Sequence, residues 1–385
     1  MDAFFIFKGR KRSLKLLVCG DVHLTNYSNF NRPTDNPASG SRLEKILEAL
    51  DYFFQYGNDH DIHTFVINGD LFDQRQRENP STMAYIRNRI LDAYHKVDTD
   101  KNILYLNVGN HDEQSQAITP NTLQDFWNYT TNSHFIQVMQ DVTLITDYDH
   151  EYLFVPYSED VQYLKDKINQ ILKEDPETYP ITVFAHLGVE GGVQGRWDHR
   201  LSGAFNVADL GWNDPRVKDI ILSHYHNRST VKRSKNKEAW YVGDLTELNF
   251  NDIAKDGYGA PRGFDVVDPV KGTHEFVDLT KDPYNIPTFN SFDLDQDKID
   301  SDKLAKLAQN NYVRLVTSDQ DNYEMLKSIL PSDNVRLVLN KQDTHEQLDV
   351  DPNSTDVDLV KEYCEKHYPE VTDQALEYLR KAKEN

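Results

Sequence analysis

Up to about residue 270 the apolar residues come in short continuous runs that end abruptly in polar ones. The runs are LKLLVCGDVH (14–23), HTFVINGD (63–70), NILYLNVGNHD (102–112), PITVFAHLG (180–188) and KDIILSHYH (218–226). Continuous apolar runs of this length suit strands buried on both faces. Between them, residues 41–56 set Leu43, Ile46, Leu47 and Leu50 on one face, the spacing of a crossover helix. Residues 82–95 do the same with Met83, Ile86, Ile90 and Leu91. Strands alternating with helices predict an α/β layered fold. Further β-rich runs at 240–242, 263–267 and 274–279 lie closer together and are expected to pair antiparallel.

The pattern changes at 281–303, where Pro283 and Pro287 precede an acidic stretch, 293–302. Beyond it, 312–316, a helix around 323–329, and 335–339 read as a separate strand–helix–strand unit. A second acidic break, 343–358, leads into two C-terminal helices. Val357, Val360 and Cys364 line one side of the first, and Leu376, Leu379 and Lys383 space out the second. Thr355 with Asp358 resembles a capping box at the start of this segment. The reading divides the chain into 1–280, 281–345 and 346–385, with no solenoid-type repeat.

Length and charge narrow the class. A chain of 385 residues accommodates two or three domains. The net charge, 42 − 63 = −21, argues against a polycation that holds nucleic acid by neutralising phosphates. It leaves room for an enzyme that meets phosphates through metal ions and local basic patches. The absence of any apolar run of ~18 residues excludes a helical membrane span. Apolar residues 4–7 precede basic residues 8–12, the reverse of a signal peptide's order. Cys19 and Cys364 are too few for a disulfide framework or a thiolate metal site, so a reducing, cytoplasmic compartment is expected.

Every one of the five runs ends in a potential metal ligand. These are Asp21 and His23, then Asp70, then Asn110 and His111, then His186, then His224 and His226. Open α/β sheets gather ligands beyond the carboxyl ends of their strands, so these side chains are expected to converge. Singly, each has a plainer explanation: Gly-Asp and Asn-His are common turn dipeptides, and a lone histidine is often a hydrogen-bonded core residue. Jointly, five strand ends in series point to metal. Mixed carboxylate, imidazole and amide donors suit Mn²⁺, Zn²⁺ or Fe²⁺, and their number suits two ions sharing a carboxylate, the arrangement of phosphoester hydrolases.

The series Asp21-x-His23, Gly69-Asp70-Leu71-Phe72-Asp73, Gly109-Asn110-His111-Asp112, His186 and His224-x-His226 resembles that of the calcineurin-type metallophosphoesterases. Within them, Gly-Asp-Leu-Phe-Asp and Gly-Asn-His-Asp are similar to the SbcD-type double-strand-break repair nucleases. Tyr241-Val242-Gly243 followed by Pro261-Arg262-Gly263-Phe264 resembles a late segment of the phage-encoded recombination nuclease subunits. The resemblance implies a four-layer α/β sandwich, two mixed β-sheets flanked by helices, over 1–280. It further implies a small α+β DNA-capping domain over 281–345 and C-terminal helices, 346–385, that grip a partner ATPase.

What it implies for the site is specific. One ion, expected to be Mn²⁺, would be held by Asp21, His23, Asp70 and His226. A second would be held by Asp70, Asn110, His186 and His224, with Asp70 bridging. His111 matches the catalytic histidine, and Asp73 and Asp112 would orient it or a ligand. Asp73 fits the bacterial and phage branch, whereas archaeal and eukaryotic members tend to carry His there. Ser223 before His224 departs from the usual Gly, and Ala185 precedes His186. The implied activity is exonuclease and structure-specific endonuclease cleavage of DNA. The implied partner is an SMC-like coiled-coil ATPase, met by a homodimer within a heterotetramer.

Basic residues suggest DNA contacts at Arg75 and Arg77, at Arg196 and Arg200 in the glycine-rich loop, and at Lys232, Arg233, Lys235 and Lys237 in a hairpin. Residues 8–12 would add a basic arm. Trp197 and Tyr225 could pack on a sugar or base, or simply in a loop or core. The rivals are a calcineurin-type phosphatase or cyclic-nucleotide phosphodiesterase, and a non-catalytic scaffold on the same fold.

Overall fold

The computed structural model describes residues 14–73, 79–97, 102–113, 121–124, 126, 134–197, 199–200, 202–297, 301–330, 333–340 and 355–383. In chain order they form β1 (Leu16–Cys19), α1 (Ser41–Asp59), β2 (Thr64–Asn68), α2 (Pro80–His95), β3 (Asn102–Asn107), β4 (His134–Met139), β5 (Thr143–Asp147) and β6 (His150–Val155). Next come α3 (Val161–Glu174), β7 (Ile181–His186), the short β8 (Val193–Gln194) and β9 (His199–Arg200), and β10 (Val217–Ser223). The hairpins β11 (Ser229–Ser234) with β12 (Lys237–Tyr241), and β13 (Gly263–Asp268) with β14 (Thr273–Asp278), follow.

Two six-stranded sheets result, ordered β14-β13-β1-β2-β3-β4 and β11-β12-β10-β7-β6-β5. Strands β1 to β4 run parallel, as do β6, β7, β10 and β12, with antiparallel pairing at the β13–β14 side of the first sheet and at both edges of the second. Alternation explains the continuous apolar runs. In β1, Leu16 and Val18 enter the layer between the sheets with Phe154, Phe184, Ile221 and Trp240. Leu17 and Cys19 face the other way, against Leu43, Leu47 and Ile90 of α1 and α2. On the far side, Leu153, Val183 and Leu222 pack on Leu164 and Ile168 of α3. The sandwich is therefore helix, sheet, sheet, helix, a mixed α/β fold in four layers.

Local chemistry sets the helix starts. α2 begins at Pro80, earlier than the apolar spacing implies, because the Asn79 side chain accepts a 2.8 Å bond from the Thr82 amide and proline suits the first turn. The expectation of antiparallel pairing for the late runs needs correction at β12. It pairs antiparallel with β11 but parallel with β10, since the β11 hairpin reverses the chain before it enters the sheet.

A smaller sheet, β15-β16-β17, is built from β15 (Phe289–Asp293), β16 (Tyr312–Thr317) and β17 (Val335–Leu339), with α4 (Ser301–Asn310) and α5 (Gln320–Ile329) between them. The expected break at 281–303 thus holds a strand, β15, and the start of a helix, α4, whose Leu304 and Ala308 are buried against Val313 and Leu315. Phe289 and Tyr312 pack with Phe250, Ile253 and Phe30. By its contacts the chain divides into two compact units, Met1–Val338 and Leu339–Asn385. In the second, α6 (Asp356–His367) starts on a capping box: the Asp358 amide donates to Thr355 Oγ1, and the Thr355 amide to the Asp358 carboxylate. A turn, Pro369–Val371, leads to α7 (Thr372–Lys383). Cys364 is buried, while Val357, Tyr368 and Tyr378 are exposed.

Phe184 is fully buried between the sheets and stacks on Phe154 with ring centroids 5.1 Å apart. Phe184→Ala is expected to lower unfolding free energy by about 3–5 kcal/mol, measured by denaturant titration.

Candidate metal centre

The parallel strands of both sheets deliver their carboxyl ends to one edge, and side chains at that edge tie the sheets together. Asn68, the last residue of β2, donates through Nδ2 to the carbonyls of Ala185 and Ile221, both at 3.2 Å, and to Ser223 Oγ at 3.1 Å. Ser223 therefore fits where the sequence departs from glycine. The room comes from Gly20, whose absent Cβ would lie 2.1 Å from Ser223 Oγ.

The turns beyond the strands are tight. Asp21, His23, Asp70 and His224 have positive φ (48°, 52°, 52° and 102°), uncommon for residues with a Cβ. Hydrogen bonds hold them there. The amides of Val22 and His23 both donate to the Asp70 carbonyl, and the His224 amide donates to the Asp21 carboxylate. Gly69, at φ 92°, has no freedom to change, because a Cβ would stand 2.1 Å from His186 Nδ1.

Into this edge project two sets of donors. Asp21, His23 and His226 have ligand atoms within 4.8 Å of one another, as do Asp70, His186 and His224. Asn110 joins the second set, its Oδ1 at 2.8 Å from His224 Nδ1 and 3.2 Å from His186 Nε2. Asp70 lies between the sets, with Oδ2 3.2 Å from His186 Nε2 and 3.7 Å from His23 Nε2. His111 also lies within reach of His23 and Asp70.

The histidines are oriented for ligation. His186 donates from Nδ1 to the Asn68 carbonyl at 2.8 Å, leaving Nε2 for an ion. His226 donates from Nδ1 to Asp252 at 3.3 Å, with Asp244 at 3.6 Å. Such outer partners fix the tautomer of a metal-bound imidazole. His23 is buried, and its Nε2 has no hydrogen-bond partner. An orphaned nitrogen between two carboxylates, in a mixed O/N set, fits a divalent cation.

The buried carboxylates set the field of the site. Burial alone would raise Asp70, but His186, His23 and His111 hold it well below the ordinary carboxylate range. Burial likewise opposes His186, yet Asp70 drives it up to about 9. His226 goes up to about 10 against burial, through Asp244 and Asp252. Burial and His186 push His224 down to about 4. Asp112 is raised to about 7 by burial and then by Asp70. Its carboxylate accepts from the amides of Phe72 and Gly109, clamping the Asp70 turn to the Asn110–His111 turn. Asp73 serves both neighbours, its carboxylate 3.2 Å from His23 Nδ1 and its carbonyl accepting from His111 Nδ1.

The basic residues divide. Arg196 sits at the rim, as described below, and exposed Arg200 donates to the Gly191 carbonyl at 3.4 Å. The structure does not bring Lys232, Arg233 and Lys235 to this edge. Arg233 pairs with Glu238, which lies in register with Asp219, about 16 Å along β10 from His224 at ~3.3 Å per residue. Lys232 lies over Trp212, and Lys237 donates to the carbonyls of Trp212 and Asp214. Arg75, Arg77 and residues 8–12 lie outside the described residues. Tyr225 belongs to the core.

Two carboxylates that the strand-end series does not include, Asp244 and Asp252, complete the site around His226. Gly243-Asp244 repeats the strand-end Gly-Asp of Gly20-Asp21 and Gly69-Asp70, a signal available in the sequence. Asp252, in a loop, carries none. Arg262 fixes that loop by donating to the carbonyls of His226 and Asp252 at 3.2 and 2.6 Å.

The family model described as calcineurin-like phosphoesterase matches residues 14–228. No curated protein matches the chain. Among solved structures, the chain is similar to a dimetal phosphatase from Danio rerio, at 9% identity and TM-score 0.43, covering 66% of this chain and 92% of that one. It is also similar to a hypothetical protein from Thermus thermophilus, at 14% identity and TM-score 0.32, covering 66% and 89%. Likenesses this distant bear on neither substrate nor role.

Asp252→Asn removes the charge that backs His226 while keeping a loop acceptor. It is expected to weaken binding of the ion at His226 about 10- to 100-fold, measured by manganese titration calorimetry.

Proposed function

The chain belongs to the calcineurin-like phosphoesterases, a family that uses divalent metal ions, and on that premise we propose that it is a Mn²⁺-dependent DNA nuclease. In this reading it is the nuclease subunit of an SbcD-like complex, with exonuclease and structure-specific endonuclease action in break processing and recombination. The observation that carries the reading is the extra β15–β17 unit beside the metal edge. Its Phe289 and Tyr312 pack on Phe250 and Ile253, in the same loop as Asp252. A phosphatase of small esters has no need of such a wall, whereas a long polymer needs surfaces flanking the cut.

Two divalent ions, held by Asp21, His23, Asp70 and His226 and by Asp70, Asn110, His186 and His224, would supply charge to the scissile phosphate and acidify water. Asp70 serves both sets, and its other oxygen accepts the His111 amide at 2.8 Å. That bond fixes the backbone of His111 relative to the metals. With Nδ1 donating to the Asp73 carbonyl, His111 is left with Nε2 for the substrate. There it carries the proton that the departing 3′-oxygen needs.

His111→Ala is expected to retain both ions and to slow DNA cleavage by ~10²–10⁴-fold. The defect should be smaller on bis(p-nitrophenyl) phosphate, whose leaving group needs no proton. Elemental analysis and turnover on both substrates check this: a lost ion makes His111 a ligand, and efficient hydrolysis of small esters without DNA cleavage favours the phosphatase or cyclic-nucleotide phosphodiesterase reading.

The partner reading, a homodimer bound to an SMC-like coiled-coil ATPase, rests on the apolar side chains exposed on the last helices, Val357, Tyr363 and Tyr378. An amphipathic helix lays such a face in a partner's groove. Removing residues 350–385 should leave metal-dependent cleavage of single strands nearly intact and abolish co-purification of the ATPase from the native cell.

A further inference from the structure

At the rim of the metal edge, Trp197 is 59% exposed, an unusual setting for a large aromatic side chain. It is held in place. The Arg196 guanidinium lies 5.1 Å from its ring centroid, and Arg196 is anchored by donating to the Lys255 carbonyl at 3.2 Å. The preceding Gly195 carbonyl accepts from Asn227 Nδ2 at 3.0 Å, and Asn227 directly follows the proposed ligand His226. The loop tip is thus pinned to the metal-binding segment. An open groove of about 590 Å³ lies alongside, lined by Arg196, Arg228, Lys255 and Arg262 and also by Asp252 and Asp256.

The small sheet adds charge of the same sign. Arg314 of β16 stacks over Phe250 at 4.5 Å and donates to Ser291. Arg336 lies on β17, the strand next to β16, and Gly257, which lies beside the Arg196 guanidinium, accepts from the Ser291 amide. Among the described residues none of these three arginines is ion-paired, in a chain with 63 carboxylate side chains. Guanidinium groups gathered without an ion-pair partner suit an anionic ligand. A flat exposed ring beside them suits an aromatic one.

We propose that Trp197 and Arg196 form a seat for one unpaired nucleotide at the edge of the metal cleft, its base on the Trp197 ring and its phosphates facing Arg196, Arg314 and Arg336. The inference rests on the nuclease reading and adds the substrate class: a strand whose base beside the cut is unstacked. In a duplex that base face is covered by its neighbours. Base–aromatic stacking is tolerant of sequence, so the seat selects single-stranded ends over any particular base.

The test uses the full chain, a phosphorothioate thymidine oligomer and the same backbone without bases, with affinity read by fluorescence anisotropy. Trp197→Ala should weaken binding of the thymidine oligomer about 5- to 100-fold and leave the baseless backbone unaffected, while Trp197→Phe keeps most of the affinity. Arg336→Gln should lower the salt dependence of binding by about one released counterion. Unfolding midpoints and manganese content verify that the variants fold. Unchanged affinity in Trp197→Ala, or an equal loss on both oligomers, overturns the seat. A wild-type chain that hydrolyses a small diester but binds and cuts no oligonucleotide overturns the nuclease reading, and the seat with it.

Discussion

One buried amide sets the geometry of the site. Asn68 donates to β7 and β10 carbonyls and to Ser223, its Oδ1 accepts from Asn107 at 2.9 Å, and its own carbonyl accepts from His186. Asn107 in turn donates to the Val155 carbonyl at 3.1 Å, bringing β3 and β6 into the same network. These bonds can be made together only at one alignment of the two sheets. A slip of one residue would turn every inward side chain outward and break these bonds. Donors that arrive on separate strands of separate sheets therefore meet at distances an ion can bridge.

The same edge concentrates buried negative charge. Asp21, Asp70, Asp112, Asp244 and Asp252 are all buried. Among the described residues histidines, Arg262 and Arg42 stand against them, and both oxygens of Asp244 lack a hydrogen-bond donor. Burying carboxylates without counter-charge is costly. Burial drives Asp244 well above the ordinary carboxylate range, more than His226 and Arg262 can offset. Cations at this edge would relieve that cost, so the burial of charge that is unfavourable by itself favours metal binding.

The small sheet is joined to the sandwich by a second buried charge. Arg42 of α1 is fully buried over the rings of Phe289 and Tyr312, at 5.5 and 5.4 Å, and donates to Thr246 Oγ1 and the Glu247 carbonyl. The Glu247 carboxylate, raised to about 7 mainly by burial, accepts from the amides of Ala260 and Phe289. This junction fixes the segment that carries Asp244, Asp252 and Arg262 between the sheet ends and the small unit. The metal edge and its flanking wall are thereby one construction, and a change at Arg42 would be felt at both.

The sequence alone determined the layered α/β plan and most donors, because both are local. A strand buried on two faces must be apolar throughout, and the polar residue that ends it must lie at the sheet's edge. The β16–α5–β17 part of the small unit was legible for the same reason, although β15 and α4 were hidden in the stretch read as a break, where Leu304 and Ala308 show their burial only once the sheet is placed. Tertiary structure decided the rest. Asp252 backs a histidine 26 positions earlier, and Arg42 meets partners more than 200 positions away, relations that no periodicity records. It also sorted the basic residues, placing Arg196 at the rim and the Arg233 hairpin at the opposite end of β10. Charge in a sequence has a sign but no position, and the register of one strand pair supplies the position.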